Sequence, residues 1–353
     1  MELRPGRLRA ARERFEATVA RTLGRVPAPV IARLLAPLSI ERDGHRLDPQ
    51  VQWADLLRRA ARHRGLEHGS VARARREYRR MRLLERDPPP LHAVEDREIA
   101  GHDDAAIRIR LYHAHRERER PVLLYFHGGG GVIGDLESHD VVCRSFAGRA
   151  RMSVIAVDYR LAPEVPYTAA PDDAVAAYRW LLANLDALGL RGDRIAVGGD
   201  SRGGNLAAVL CQQLQHHGLP QPRVQLLAYP NTDVAGTYAS RQSLAAGPWL
   251  TGELIAWFEA HGLGTIDRAD PKASPMRAAS VRGLAPAIVS IAGFDPLHDE
   301  GRAYAERLRH EGVPTLLLEE PALPHGYLQL TGVSRAAARA TDRLIDELRA
   351  ALR

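Results

Sequence analysis

The sequence predicts an α/β protein with a mostly parallel central sheet covered by helices on both faces. Three observations lead there. Short apolar runs alternate with segments of helical period from residue 105 onward. Several of those runs are continuously apolar, as suits strands buried on both faces of a parallel sheet. At 194–216 a strand-like run, a serine set among glycines and a helical run follow one another without a break.

Residues 1–90 differ from the rest. They are rich in Arg and Glu, and "VQWADLLRRAARHRG" and "SVARARREYRRMRLL" space their apolar residues by three and four, as amphipathic helices do. The prolines of "RDPPPLHAV" end that pattern and mark a linker. "AAIRIRLYHA" then alternates as a half-exposed strand. Buried strands follow at 121–126, 153–159, 194–199, 224–229, 287–293 and 314–320, and "PDDAVAAYRWLLANLDAL" reads as a helix opened by Pro171. Residues 236–270 interrupt the alternation. They carry Trp249, Trp257 and Phe258, and are expected to form an insertion packing with the N-terminal helices over the carboxyl edge of the sheet.

The chain has 353 residues, of which 45% are hydrophobic, enough for a large core in one α/β domain with a smaller part, or two modest domains. Its net charge of +6 comes from arginines scattered among acids, Lys272 being the only lysine, which argues against a nucleic-acid surface. Cys143 and Cys211 stand far apart and form no metal or disulfide pattern, which fits a reduced, cytoplasmic setting. The charged N-terminus is no secretory signal, and no apolar run approaches the ~18 residues of a membrane span. A soluble protein is expected.

Gly199-Asp200-Ser201-Arg202-Gly203 fits G-x-S-x-G between a strand and a helix. A sharp turn there exposes the serine Oγ at a helix N-terminus, and a Cβ on the flanking glycines would collide as the chain reverses. An ordinary glycine-rich turn with a capping serine is the plain alternative. A serine hydroxyl is a poor nucleophile without a base and an orienting acid, expected in the chain order serine, acid, histidine. Asp295 ends the strand at 287–293, and His325 follows the strand at 314–320 in a Pro-His-Gly loop. Both are expected on the edge that holds Ser201. Asp299 and His298 compete for these roles. Asp295 is preferred for its place at the strand end, and His325 because His298 falls in the first turn of a helix.

Acyl transfer also needs N–H donors for the oxygen that becomes negative. "YFHGGGGVIGD" follows a strand, so Gly129 and Gly130, with the N–H of Arg202, are the candidate oxyanion donors, and His127 a brace for the loop. A nucleotide loop fits poorly, because the glycine spacing is wrong and no acidic ribose partner follows.

Taken together, "HGGGGVIGDLESHD", "DYRLAPEVPYTAAPDD", "GGDSRGGNLA", "DPKASPM", "AGFDPLHDEG" and "PHGYLQL" resemble the hormone-sensitive-lipase-like family of α/β-hydrolases, the microbial carboxylesterases especially. The likeness covers about residues 95–345, and more weakly the helices of 45–90. It implies an α/β-hydrolase fold over residues 91–353, with a helical cap built from 1–90 and 236–270. It implies Ser201 as nucleophile, His325 as base and then acid, Asp295 as its orienter, a small-molecule ester substrate of short to medium acyl length, and no cofactor or metal. A homodimer through an edge strand is expected by analogy. Within the same family, a deacetylase or lactonase of a specialised metabolite, or a receptor branch that binds without turnover and lacks the histidine, are the alternatives. Two positions depart from the family. Gly131 stands where an aromatic residue is usual, and Arg202 where alanine is common. Arg202 is expected either to narrow or polarise the acyl pocket, in space opened by Gly131, or to swing into an ion pair with the cap.

Overall fold

The computed structural model describes Thr18, Thr22 and residues 24–60, 65–116 and 120–353. The N-terminal part contributes helices α1 (Ala28–Leu34), α2 (Pro49–Ala60) and α3 (Val71–Tyr78), with a two-residue hairpin, β1 (Glu41–Arg42) and β2 (His45–Arg46), between α1 and α2. Residues 61–64 of the expected helix at 51–65 lie outside the described residues. Ser70 caps α3 by accepting from the Arg73 N–H. The helix expected to run on to residue 84 stops at Tyr78, and Arg79–Leu84 winds more tightly as a 3-10 segment.

Eight strands form the sheet: β3 (Ala93–Ala100), β4 (Ala106–His113), β5 (Arg120–Phe126), β6 (Ser153–Asp158), β7 (Leu190–Asp200), β8 (Val224–Ala228), β9 (Ala287–Phe294) and β10 (Thr315–Pro324), in the order β10-β9-β8-β7-β5-β6-β4-β3. Every pairing from β6 through β10 is parallel, and only β4 pairs antiparallel, with β3 and β6. All expected strands are present. β3 was not expected, because "AVEDREIA" exposes most of its side chains and shows no apolar period.

Both sheet faces are buried. Val122, Leu124 and Phe126 of β5 pack with α5 (Ala169–Leu188), α6 (Arg202–His216) and α9 (His298–His310), whereas Leu123 and Tyr125 pack with α4 (Asp140–Ala150) and α10 (Arg335–Ala351). Alternation within an apolar run thus serves two cores, each buried Leu contributing about 2 kcal/mol. The 236–270 segment lies between β8 and β9 and holds α7 (Ala239–Ser243) and α8 (Gly252–Gly262). Trp257 and Phe258 of α8 pack with Val71 and Tyr78 of α3 and with Val132 and Ile133 of the loop after β5. Arg75 ties α3 down further, donating to the carbonyls of Val132 and Ala162 and to both carboxylate oxygens of Glu164.

Candidate active site

Three loops at the carboxyl ends of β7, β9 and β10 bring Ser201, Asp295 and His325 together. Ser201 sits between β7 and α6 at φ 54°, ψ −119°, a region L-residues rarely occupy. Its N–H donates to the Ala228 carbonyl, and its own carbonyl accepts from the Asn205 N–H, so the turn is held at both ends. The glycines beside it answer a close approach. A Cβ on Gly203 would stand 1.9 Å from the Phe126 carbonyl oxygen, and one on Gly199 2.2 Å from the same atom.

Nε2 of His325 lies 2.9 Å from Ser201 Oγ, and its Nδ1 lies 2.8 Å from Asp295 Oδ2. With Nδ1–H donating to the carboxylate, Nε2 keeps its lone pair for the serine proton. Asp295 is buried, and its other oxygen accepts from the Leu297 N–H at 2.8 Å. The competing residues go elsewhere. His298 Nδ1 bonds Asp299 Oδ1, and Asp299 Oδ2 accepts from the Ser240 N–H, fastening α7 to the start of α9.

Gly129, Gly130 and Arg202 line the same cavity as Ser201 and His325. It holds about 550 Å³, and its walls include Trp53 of α2, Tyr78 of α3 and Leu254 and Phe258 of α8. His127 braces the glycine loop, its Nδ1 donating to the Gly128 carbonyl at 2.8 Å and its ring stacked on Tyr159 at 4.3 Å. Burial pushes its imidazole below the usual histidine range.

Asp200 lies inside the motif, but its role is not legible in the sequence. Its Oδ1 accepts from the Tyr125 hydroxyl at 2.7 Å and from the Gly128 N–H at 2.9 Å, joining the glycine loop to the serine turn. His139 Nε2 stands 3.3 Å away, off a hydrogen-bonding angle. Burial would raise this carboxyl, but His139 and the Tyr125 hydroxyl more than offset it and hold it below the usual range.

Arg202 is buried and has no acid partner among the described residues, so no ion pair with the described part of the cap forms. Its Nη1 donates to Asn205 Oδ1, and its Cζ sits 4.0 Å over the Tyr167 ring. A Cβ at position 131 would lie 3.5 Å from Nε, so Gly131 borders the arginine stem as expected. The single cluster of three ligating groups among the described residues, Glu67, His68 and Glu253, is largely exposed on the rim, with His68 already beside both acids.

Residues 123–329 match the family described as having the alpha/beta hydrolase fold. The chain belongs to the α/β-hydrolase family. Within this family it falls in the hormone-sensitive-lipase-like branch. It is 39% identical over 335 residues to carboxylic ester hydrolase LipN of Mycobacterium tuberculosis, covering 93% of this chain and 89% of that one. It is 37% identical over 260 residues to ethyl acetate hydrolase of Pseudomonas putida, covering 72% and 82%. Among α/β-hydrolases of known structure, an ester-hydrolase from the metagenome of Lake Arreo superimposes with a TM-score of 0.83 at 38% identity, over 86% of this chain and 98% of that one. The hyperthermophilic esterase of the archaeon Pyrobaculum calidifontis gives 0.81 at 33% identity, over the same shares.

Proposed function

We propose that this α/β-hydrolase is a serine carboxylesterase that cleaves short- to medium-chain acyl esters through an acyl-enzyme. The observation that carries the reading is the pair of contacts made by one imidazole, 2.9 Å to Ser201 and 2.8 Å to Asp295. Ser201 Oγ attacks the ester carbon while His325 Nε2 takes its proton. The oxygen that becomes negative faces the N–H groups of Gly129, Gly130 and Arg202. His325 returns the proton to the leaving alcohol, then draws one from the water that attacks the acyl-enzyme, and Ser201 is regenerated. Asp295 holds the imidazole in the right tautomer and stabilises its charged form. The names of the relatives, carboxylic ester hydrolase and ethyl acetate hydrolase, support the same chemistry.

The reading includes a helical cap of residues 1–90 and 236–270 over a catalytic domain of 91–353, supported by the shared cavity wall of α2, α3 and α8. It places the enzyme in the cytoplasm, where the free and buried thiols of Cys143 and Cys211 are at home. It also includes a homodimer, for which edge strand β10 with its exposed Leu316 offers a pairing surface. No helix among the described residues is long and apolar enough to cross a membrane.

A fluorophosphonate probe tests the chemistry. It is expected to label the wild type at Ser201 and to leave Ser201→Ala untouched, and a panel of esters, acetylated sugars and lactones of graded size then bounds the substrate. A folded wild type that resists the probe and turns over nothing in the panel would point to binding without catalysis.

A further inference from the structure

We propose that the ester cleaved at this site carries a carboxylate, and that the guanidinium of Arg202 receives it. The inference rests on the esterase reading and names its substrate class. Arg202 is 2% exposed, yet it lines the cavity beside the nucleophile. A guanidinium keeps its charge at any pH where the protein folds. Two other deeply set arginines have acids. Arg110, with a side chain 14% exposed, meets Asp96, Glu137 and Asp140, and Arg241, 16% exposed, meets Glu300 and Glu259. Arg202 has none within 4.0 Å among the described residues.

Its contacts leave one edge unpaired. Nη1 donates to Asn205 Oδ1 and the flat of the group lies on Tyr167, which recovers part of the lost hydration. Nε is buried without an acceptor, and Nη2 makes no hydrogen bond among the described residues. Nε–H and Nη2–H form the side-on fork that takes a carboxylate with two parallel hydrogen bonds. A charge withdrawn from water and left without a counter-ion is expensive, and an anion brought by the substrate removes that expense. The oxyanion role needs only the Arg202 backbone N–H, so catalysis alone does not explain the long cationic side chain. Arg202 is also the covalent neighbour of Ser201, so the carboxylate sits a few bonds from the ester carbon. The wall beside the arginine is apolar, with Tyr167, Val234 and Leu263 packed together. Methylenes between ester and carboxylate fit that wall, as in a monoester of a four- or five-carbon dicarboxylic acid.

The test compares kcat/KM for esters matched in size, at fixed ionic strength. Monoethyl succinate is set against ethyl 4-methylpentanoate, which puts the carboxylate on the acyl side. 3-Acetoxypropanoate is set against 3-methylbutyl acetate, which puts it on the alcohol side. Wild type is expected to favour one acidic ester over its neutral match by about tenfold or more. That ratio is expected to collapse in Arg202→Met and to fall partway in Arg202→Lys, whatever happens to the absolute rates. The pair that responds tells which side carries the charge. No acidic preference in wild type, or a ratio unchanged in Arg202→Met, overturns the proposal. Should Arg202→Met fail to fold, wild type alone decides. Competitive inhibition of ethyl butyrate hydrolysis by glutarate but not by glutaramide supports the proposal, and equal inhibition or none overturns it. Neutral esters cleaved without an acidic preference defeat this inference and leave the esterase standing, whereas failure to cleave any ester defeats the esterase reading itself.

Discussion

Ser201 Oγ lies 2.9 Å from Nε2 of His325, across 124 residues of chain. The contact joins the turn after β7 to the loop after β10, at opposite sides of β8 and β9 in the sheet. Nothing local holds it. It exists because parallel strands present their carboxyl ends to one rim.

The backbone at Ser201 stores strain in order to present its hydroxyl, at φ 54°, ψ −119°. Glycine tolerates that conformation, so Ser201→Gly is expected to raise stability by about 1 kcal/mol. The same change should lower ester turnover by about 10⁴-fold or more. Chemical unfolding and initial rates check both halves, and a destabilised glycine variant would contradict the strain argument.

Asp295→Asn keeps an oxygen for the Leu297 N–H but removes the charge that faces His325 Nδ1. The imidazole then loses the tautomer that leaves Nε2 free. Turnover is expected to fall by about 10²–10⁴-fold, mainly in kcat, with the fold intact by circular dichroism. Asp299→Asn, aimed at the Ser240 N–H instead, should leave kcat within a few-fold of wild type.

Gly203→Ala tests the packing that makes the turn. Its Cβ would enter the space of the Phe126 carbonyl at 1.9 Å, where backbone has to move. A loss of about 3 kcal/mol or more, seen as a lower midpoint in urea, is expected. A variant of unchanged stability would show that α6 can shift away from β5.

His127 links stability to pH. Burial holds its folded pKa below the ordinary value of 6.5. The unfolded chain therefore takes up the proton first as pH falls. The contribution to stability is full above 6.5 and declines below it until the folded imidazole titrates, by up to about 1.4 kcal/mol per pH unit. His127→Asn keeps a donor for the Gly128 carbonyl but cannot titrate. Unfolding free energies measured between pH 8 and 5 should fall less steeply for this variant than for wild type.

Arg75 spans from α3 to the loops that carry Val132, Ala162 and Glu164. Arg75→Ala frees one wall of the cavity without touching Ser201. An increase of several-fold in KM with kcat nearly unchanged is the expected split, since the lost contacts hold substrate and transition state alike.

Several features are legible in the sequence. The buried strands were readable because apolar side chains on both faces leave a continuous signature. Ser201, Asp295 and His325 were readable because each follows such a strand, and parallel strands deliver their ends to one edge. Other elements escaped for physical reasons. β3 is an exposed edge strand whose four consecutive charged residues look like a loop. Arg79–Leu84 keeps helical spacing but tightens where Leu84 and Glu85 meet Gly332. α10 did carry a signal, with Ala337, Ala340, Leu344 and Leu348 at helical intervals on its buried face.

By itself, then, the sequence determined the layered α/β architecture and the rim on which Ser201, Asp295 and His325 meet, since both follow from local pattern and from the direction of parallel strands. Tertiary structure alone decided what surrounds those groups: the Asp200 link between Tyr125 and Gly128, the meeting of α3 and α8 above the cavity, and the isolation of Arg202 from every acid among the described residues. Those depend on which distant side chains share a volume, and a chain carries no local record of the water that folding will remove from one particular charge.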